Sequence, residues 1–103
     1  MRELMLLNVL ADQELTATDR VVYAVIDTFS ETEPWETVPV RLSDNEVPLW
    51  QMDSLCFFSG LKALAVRRSM KRLAARGWLL AEYQPRRHAW RLTRLDREES
   101  DRG

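Results

Sequence analysis

The sequence predicts a mainly α domain, three helices in the core and a two-stranded β-hairpin after them. Three observations carry that expectation. Val21, Val22, Val25, Ile26 and Phe29 recur at helical spacing, and so do Val66, Ser69, Met70 and Leu73. Gly60 and Gly77 stand where two helices need a left-handed residue to stop. Beyond Gly77, residues 78–84 and 89–95 read as strands on either side of Pro85-Arg86-Arg87-His88.

The elements follow in order. Leu4 to Leu10 is apolar nearly throughout and reads as a short strand or helical turn. Thr16-Ala17-Thr18-Asp19 is a helix start: a threonine N-cap with an acid three residues on, near the positive end of the helix dipole. The helix behind it ends between Ser30 and Pro34. Val38 to Leu42 reads as an edge strand, Ser43 to Glu46 as a turn, and Val47 to Trp50 as an antiparallel return, so residues 38–50 admit extra short strands. A second helix spans Gln51 to Ser59, and a third spans Ala63 to Arg76. In the final strand Trp90 and Leu92 alternate with Arg91 and Thr93, which gives one apolar and one polar face.

A chain of 103 residues, 46% hydrophobic and 30% charged, has room for one domain with one core. Residues 1–95 are expected to form that domain, with 1–14 as an N-terminal arm or dimerising segment and 96–103 as a charged, disordered tail. Cys56 is the only cysteine, so an intrachain disulfide is excluded. The N-terminal apolar run is too short and too polar for a membrane span and lacks a signal-peptide cleavage pattern, and the expected location is cytoplasmic. Net charge is −1, but it is strongly segregated. Residues 1–53 contain 11 acids and 3 bases, whereas residues 54–95 contain 1 acid and 10 bases. Such a dipole suits attraction of a polyanion to the basic half, although solvated arginines on ordinary helices would give the same count.

Leu55-Cys56-Phe57-Phe58-Ser59-Gly60-Leu61, then Val66-Arg67-Arg68-Ser69-Met70-Lys71-Arg72-Leu73-Ala74-Ala75-Arg76-Gly77-Trp78-Leu79, resembles the second and third helices of bacterial winged helix-turn-helix proteins. The likeness is closest to regulators and to plasmid or phage replication initiators, and it extends over about residues 15–95. It implies a non-enzymatic protein that binds double-stranded DNA, often as a two-fold dimer, with Leu4 to Leu10 as the dimerising element. Opposite the buried stripe, the helix over residues 63–76 offers Leu64, Arg67, Arg68, Lys71 and Arg72 to a major groove. Lys62 precedes it, and Arg86, Arg87 and His88 project from the wing over residues 84–90 toward phosphates or a minor groove.

One stretch departs from the family pattern. Where a Ser or Thr usually caps the third helix before polar residues, this chain has Lys62-Ala63-Leu64-Ala65. Lysine offers no acceptor to the free N–H groups, and Ala-Leu-Ala makes no hydrogen bonds to base edges. DNA affinity without strong sequence readout is the expectation. The alternative is a winged helix turned to protein contacts, such as a small phage-encoded inhibitor or a complex subunit. It would use the acidic, Trp-bearing segment 31–50, where Trp35 or Trp50 is an anchor, or the apolar start of the third helix. Catalysis, a cofactor and a metal are not expected: His88 has no partner at ligand spacing, and Cys56 reads as a small buried residue. Trp78 and Trp90 are assigned to the core beneath the wing.

Overall fold

Thr16 opens the first long helix as its sequence demands. In the computed structural model, which describes residues 8–29, 32–35, 38–41 and 49–95, helix α1 runs over Ala17–Thr28. The Asp19 N–H donates to Thr16 Oγ1, and the Thr16 N–H donates to the Asp19 carboxylate, closing a capping box. The buried side of α1 is Asp19, Val22, Tyr23 and Ile26. Val21, expected on that side, is exposed, and Tyr23 takes its place. The stripe 19-22-23-26 therefore begins with a carboxylate, which the apolar pattern alone does not reveal.

Residues 8–11 form a helical turn that inserts Val9 into the core and leaves Leu10 exposed. Helix α2 (Met52–Ser59) ends at Gly60, whose φ of 73° lies in the left-handed region, and its N–H donates to the Cys56 carbonyl. Helix α3 (Ala63–Ala75) ends in a Schellman motif around Gly77, at φ 82°. There the Gly77 N–H donates to the Ala74 carbonyl and the Trp78 N–H to that of Leu73. Leu73 and Trp78 are both buried and supply the apolar contact that accompanies this motif.

Strands β1 (Thr32–Trp35) and β2 (Val38–Arg41) form an antiparallel pair with Trp35 opposite Val38. Segment 38–41 is thus a strand, but its partner is 32–35 rather than 47–50, as the sequence suggests. Leu49–Trp50 instead forms β3, which joins a second sheet with β4 (Leu79–Gln84) and β5 (Ala89–Arg94) in the order β3-β5-β4. Pro85–Arg87 makes a 3-10 turn between β4 and β5. The result is a small α+β domain rather than a mainly α one. The two-stranded hairpin of the sequence reading acquires a third strand because Trp50 lies opposite Trp90 and is fully buried there. Trp50 is therefore a core residue, not an exposed anchor. The Trp35 side chain, Leu4 to Leu7, the turn over 43–46 and the tail over 96–103 lie outside the described residues.

The core gathers Val9, Leu15, Val22, Tyr23, Ile26, Trp50, Leu55, Val66, Met70, Leu73, Trp78, Leu79 and Leu92. Helix α1 packs on α2 and α3, and α3 packs on β4. Phe29 extends the core, meeting the Trp50 ring edge-on at 5.4 Å and the Phe58 ring at 4.6 Å. Truncating a buried leucine such as Leu73 typically costs about 2–5 kcal/mol, a large share of a small domain's stability.

Candidate functional site

Helix α3 has two stripes of the same period. Val66, Ser69, Met70 and Leu73 are buried, as their spacing requires. Two positions earlier, and so on the opposite side of the helix, Leu64, Arg67, Arg68 and Lys71 are all exposed. Lys62 provides no side-chain cap, and Leu64 in the first turn is 61% exposed. Arg86, Arg87 and His88 are exposed at the β4–β5 connection. His88 adopts φ 49°, a left-handed conformation uncommon outside glycine, to close the 3-10 turn.

Arg72 does not belong to this outward face. It lies on the flank of α3 toward α1, and its Nε donates to both oxygens of Asp19 at 2.8 and 2.9 Å. Asp19 is fully buried. Burial pushes its carboxyl up, but the bonds from Arg72 and the Thr16 N–H outweigh that and hold it below the ordinary 3.8. The cation counted with a binding face is thus engaged in joining two helices.

Two further pairs bridge the acidic and basic halves. Asp12 is buried and accepts from Arg76 Nε and Nη2, both at 3.1 Å, from the Trp78 indole N–H at 2.7 Å and from the Glu14 N–H at 3.0 Å. Burial raises its carboxyl, and these donors, led by Arg76, bring it down from 3.8 to about 2. The backbone carbonyl of Asp12 also accepts from Arg20 on α1 at 3.0 Å. Arg94 on β5 forms an ion pair with Asp27 on α1. Both of those side chains are largely buried.

The ten cations of residues 54–95 therefore divide into two sets. Arg72, Arg76 and Arg94 are tied to Asp19, Asp12 and Asp27. Lys62, Arg67, Arg68, Lys71, Arg86, Arg87 and Arg91 are exposed. Sequence reasoning passes over the carboxylates of the first set, although an acid at the head of an apolar stripe, as Asp19 is, is a signal that a base must reach it. Cys56 is half-buried. Among the described residues no three His, Cys, Asp or Glu side chains group as metal ligands, and no helix is long and apolar enough to cross a membrane. Comparison with protein-family models, curated proteins and solved structures finds no match to this chain.

Proposed function

We propose that this chain is a non-enzymatic winged helix-turn-helix protein that binds duplex DNA, serving as a transcriptional regulator or a plasmid or phage replication accessory factor. In this reading α2 and α3 are the helix-turn-helix, and β4, β5 and their connection are the wing. Arg67, Arg68 and Lys71 meet the phosphates bordering a major groove, with Lys62 at the helix start and Arg86, Arg87 and His88 acting from the wing. The observation that carries the reading is the division of the cations. Those paired with Asp12, Asp19 and Asp27 hold the domain together, and six of the exposed ones occupy the start and solvent stripe of α3 and the hairpin connection, with no ion pair among the described residues. Arg72 drops out of the binding set.

The test is DNA affinity against salt concentration for wild type and for Arg67→Ala with Arg68→Ala. Wild-type affinity is expected to fall steeply with salt, and the double variant to flatten the slope by about two units on every sequence tried. A double variant with the wild-type slope would refute the assignment of this face.

A second reading rests on a different observation. Phe57 and Leu64, on either side of the α2–α3 turn, are 62% and 61% exposed. A protein-binding domain would use them as anchors. Leu64→Ala separates the two readings: a DNA-binding chain keeps its DNA affinity, whereas a protein-binding one loses its partner by about 2 kcal/mol or more.

A further inference from the structure

Three aromatic residues form a row across the second sheet. Trp50 on β3 is opposite Trp90 on β5, and Trp90 is opposite Tyr83 on β4. Cross-strand partners share a face, so all three side chains stand on the core side of the sheet. Exposure rises along the row: Trp50 is fully buried, Trp90 half-buried and Tyr83 47% exposed. The Tyr83 and Trp90 rings have centroids 5.1 Å apart, tilted at 57°. Within the sheet β4 is the edge strand, with β5 as its one neighbour among the described residues. Exposed edge strands usually carry charge at such positions, not an aromatic ring.

Two cations follow Tyr83 closely along the chain. Arg86 and Arg87 follow it by three and four residues in the connecting turn, and both are exposed. The one acid of the hairpin, Glu82, belongs to the opposite face, where it is the cross-strand partner of Arg91. An exposed ring backed by a second ring, with guanidinium groups close along the chain, matches the two demands of an unpaired nucleic-acid strand: a flat surface for a base and positive charge for its backbone. In a paired duplex the interior base faces are already stacked, so away from the ends the ring has nothing to take there.

We infer that Tyr83, supported by Trp90, is a stacking platform for an unpaired base, so that the hairpin favours a duplex bearing a single-stranded overhang over a blunt one. This rests on the DNA-binding reading and names the kind of DNA that the wing selects. A simpler role for Tyr83, as a lid over Trp90, predicts a stability effect without a preference among DNAs.

The experiment measures fluorescence anisotropy of a short labelled duplex, blunt or with a thymidine overhang, against wild type, Tyr83→Phe and Tyr83→Leu, with thermal melts of each variant. Leucine retains apolar cover on Trp90 but offers no ring face. Wild type and Tyr83→Phe are expected to favour the overhang duplex by about tenfold, within the range for one stacked base. Tyr83→Leu is expected to lose that preference while keeping the blunt-duplex affinity. Equal wild-type affinities for the two duplexes, or an overhang preference that survives in Tyr83→Leu, would overturn the platform and leave the DNA-binding reading standing. Failure of wild type to bind either duplex at low salt would overturn both.

Discussion

Replacing Asp12 with alanine should unfold this domain at a markedly lower temperature, because one carboxylate holds the end of α3 to the N-terminal segment. Asp12 accepts two bonds from Arg76, one from the Trp78 indole and one from the Glu14 backbone. Removing one member of a buried ion pair typically costs about 3–5 kcal/mol. The Arg76 side chain is 38% exposed, so its freed guanidinium can hydrate, and the low end, about 3 kcal/mol, applies. In a domain of this size 1 kcal/mol moves the melting temperature by about 4–8 °C, so a loss of about 12–24 °C is expected. Circular dichroism melts at neutral pH measure it. The pH dependence adds a second constraint. The folded carboxyl titrates at about 2 against an ordinary 3.8, so the unfolded chain binds the proton more readily. The stabilisation is complete above about pH 4 and is lost as pH falls toward about 2. The gap between wild type and Asp12→Ala should therefore narrow over that window. A variant melting within about 4 °C of wild type at neutral pH, or a gap that does not change with pH, would refute this account of the clasp.

Further substitutions test how the surface is partitioned and how α2 ends. Arg72→Ala leaves the fully buried Asp19 carboxylate without its guanidinium and should cost about 3 kcal/mol, whereas Arg68→Ala, on the outward stripe, should change stability by less than about 0.5 kcal/mol. Equal costs in denaturant titrations would show that the two arginines do not differ in role. At Gly60 a Cβ would meet nothing within 4 Å, so Gly60→Ala carries only the penalty of the left-handed backbone, about 1 kcal/mol, and Gly60→Asn should recover part of it. A Gly60→Ala protein as stable as wild type would argue against a left-handed residue at the end of α2.

Local pattern made much of the domain legible. The period of Val66, Ser69, Met70 and Leu73 locates the buried side of α3 residue by residue, because helical spacing fixes which positions share a face. The Thr16–Asp19 cap and the two glycine stops also act over a few residues, and the structure has each of them. What the sequence hides is long-range. Arg72 and Asp19 are 53 residues apart, Arg76 and Asp12 64, and Arg94 and Asp27 67. No periodicity encodes which cation will meet which acid. Arg68 and Arg72 look alike on a helical projection, and only the position of α1 separates them. The same limit explains Trp50: as one of two aromatic residues flanking an acidic stretch it reads as one of two candidate anchors, yet pairing with β5 carries it to the centre of the core.

The three ion pairs also change what the charge segregation means. An acidic first half and a basic second half suggest a molecule with two oppositely charged ends. In the fold, acids of the N-terminal segment and α1 face cations of α3 and β5, so part of the apparent dipole is spent within the domain. All three pairs draw their acid from the N-terminal segment or α1, and two of them hold α3, at Arg72 and at Arg76. They restrain α3 on its inner side while the stripe of Leu64, Arg67, Arg68 and Lys71 remains in solvent. A helix that is to meet a polyanion needs this separation. Cations that fix its orientation must be neutralised by the protein, or they would be drawn toward the ligand and loosen the packing. Cations that recruit the ligand must have no acid within reach, or their charge would be spent before contact. On the DNA-binding reading proposed above, the exposed set is therefore the better measure of attraction for a polyanion than the count of bases in residues 54–95.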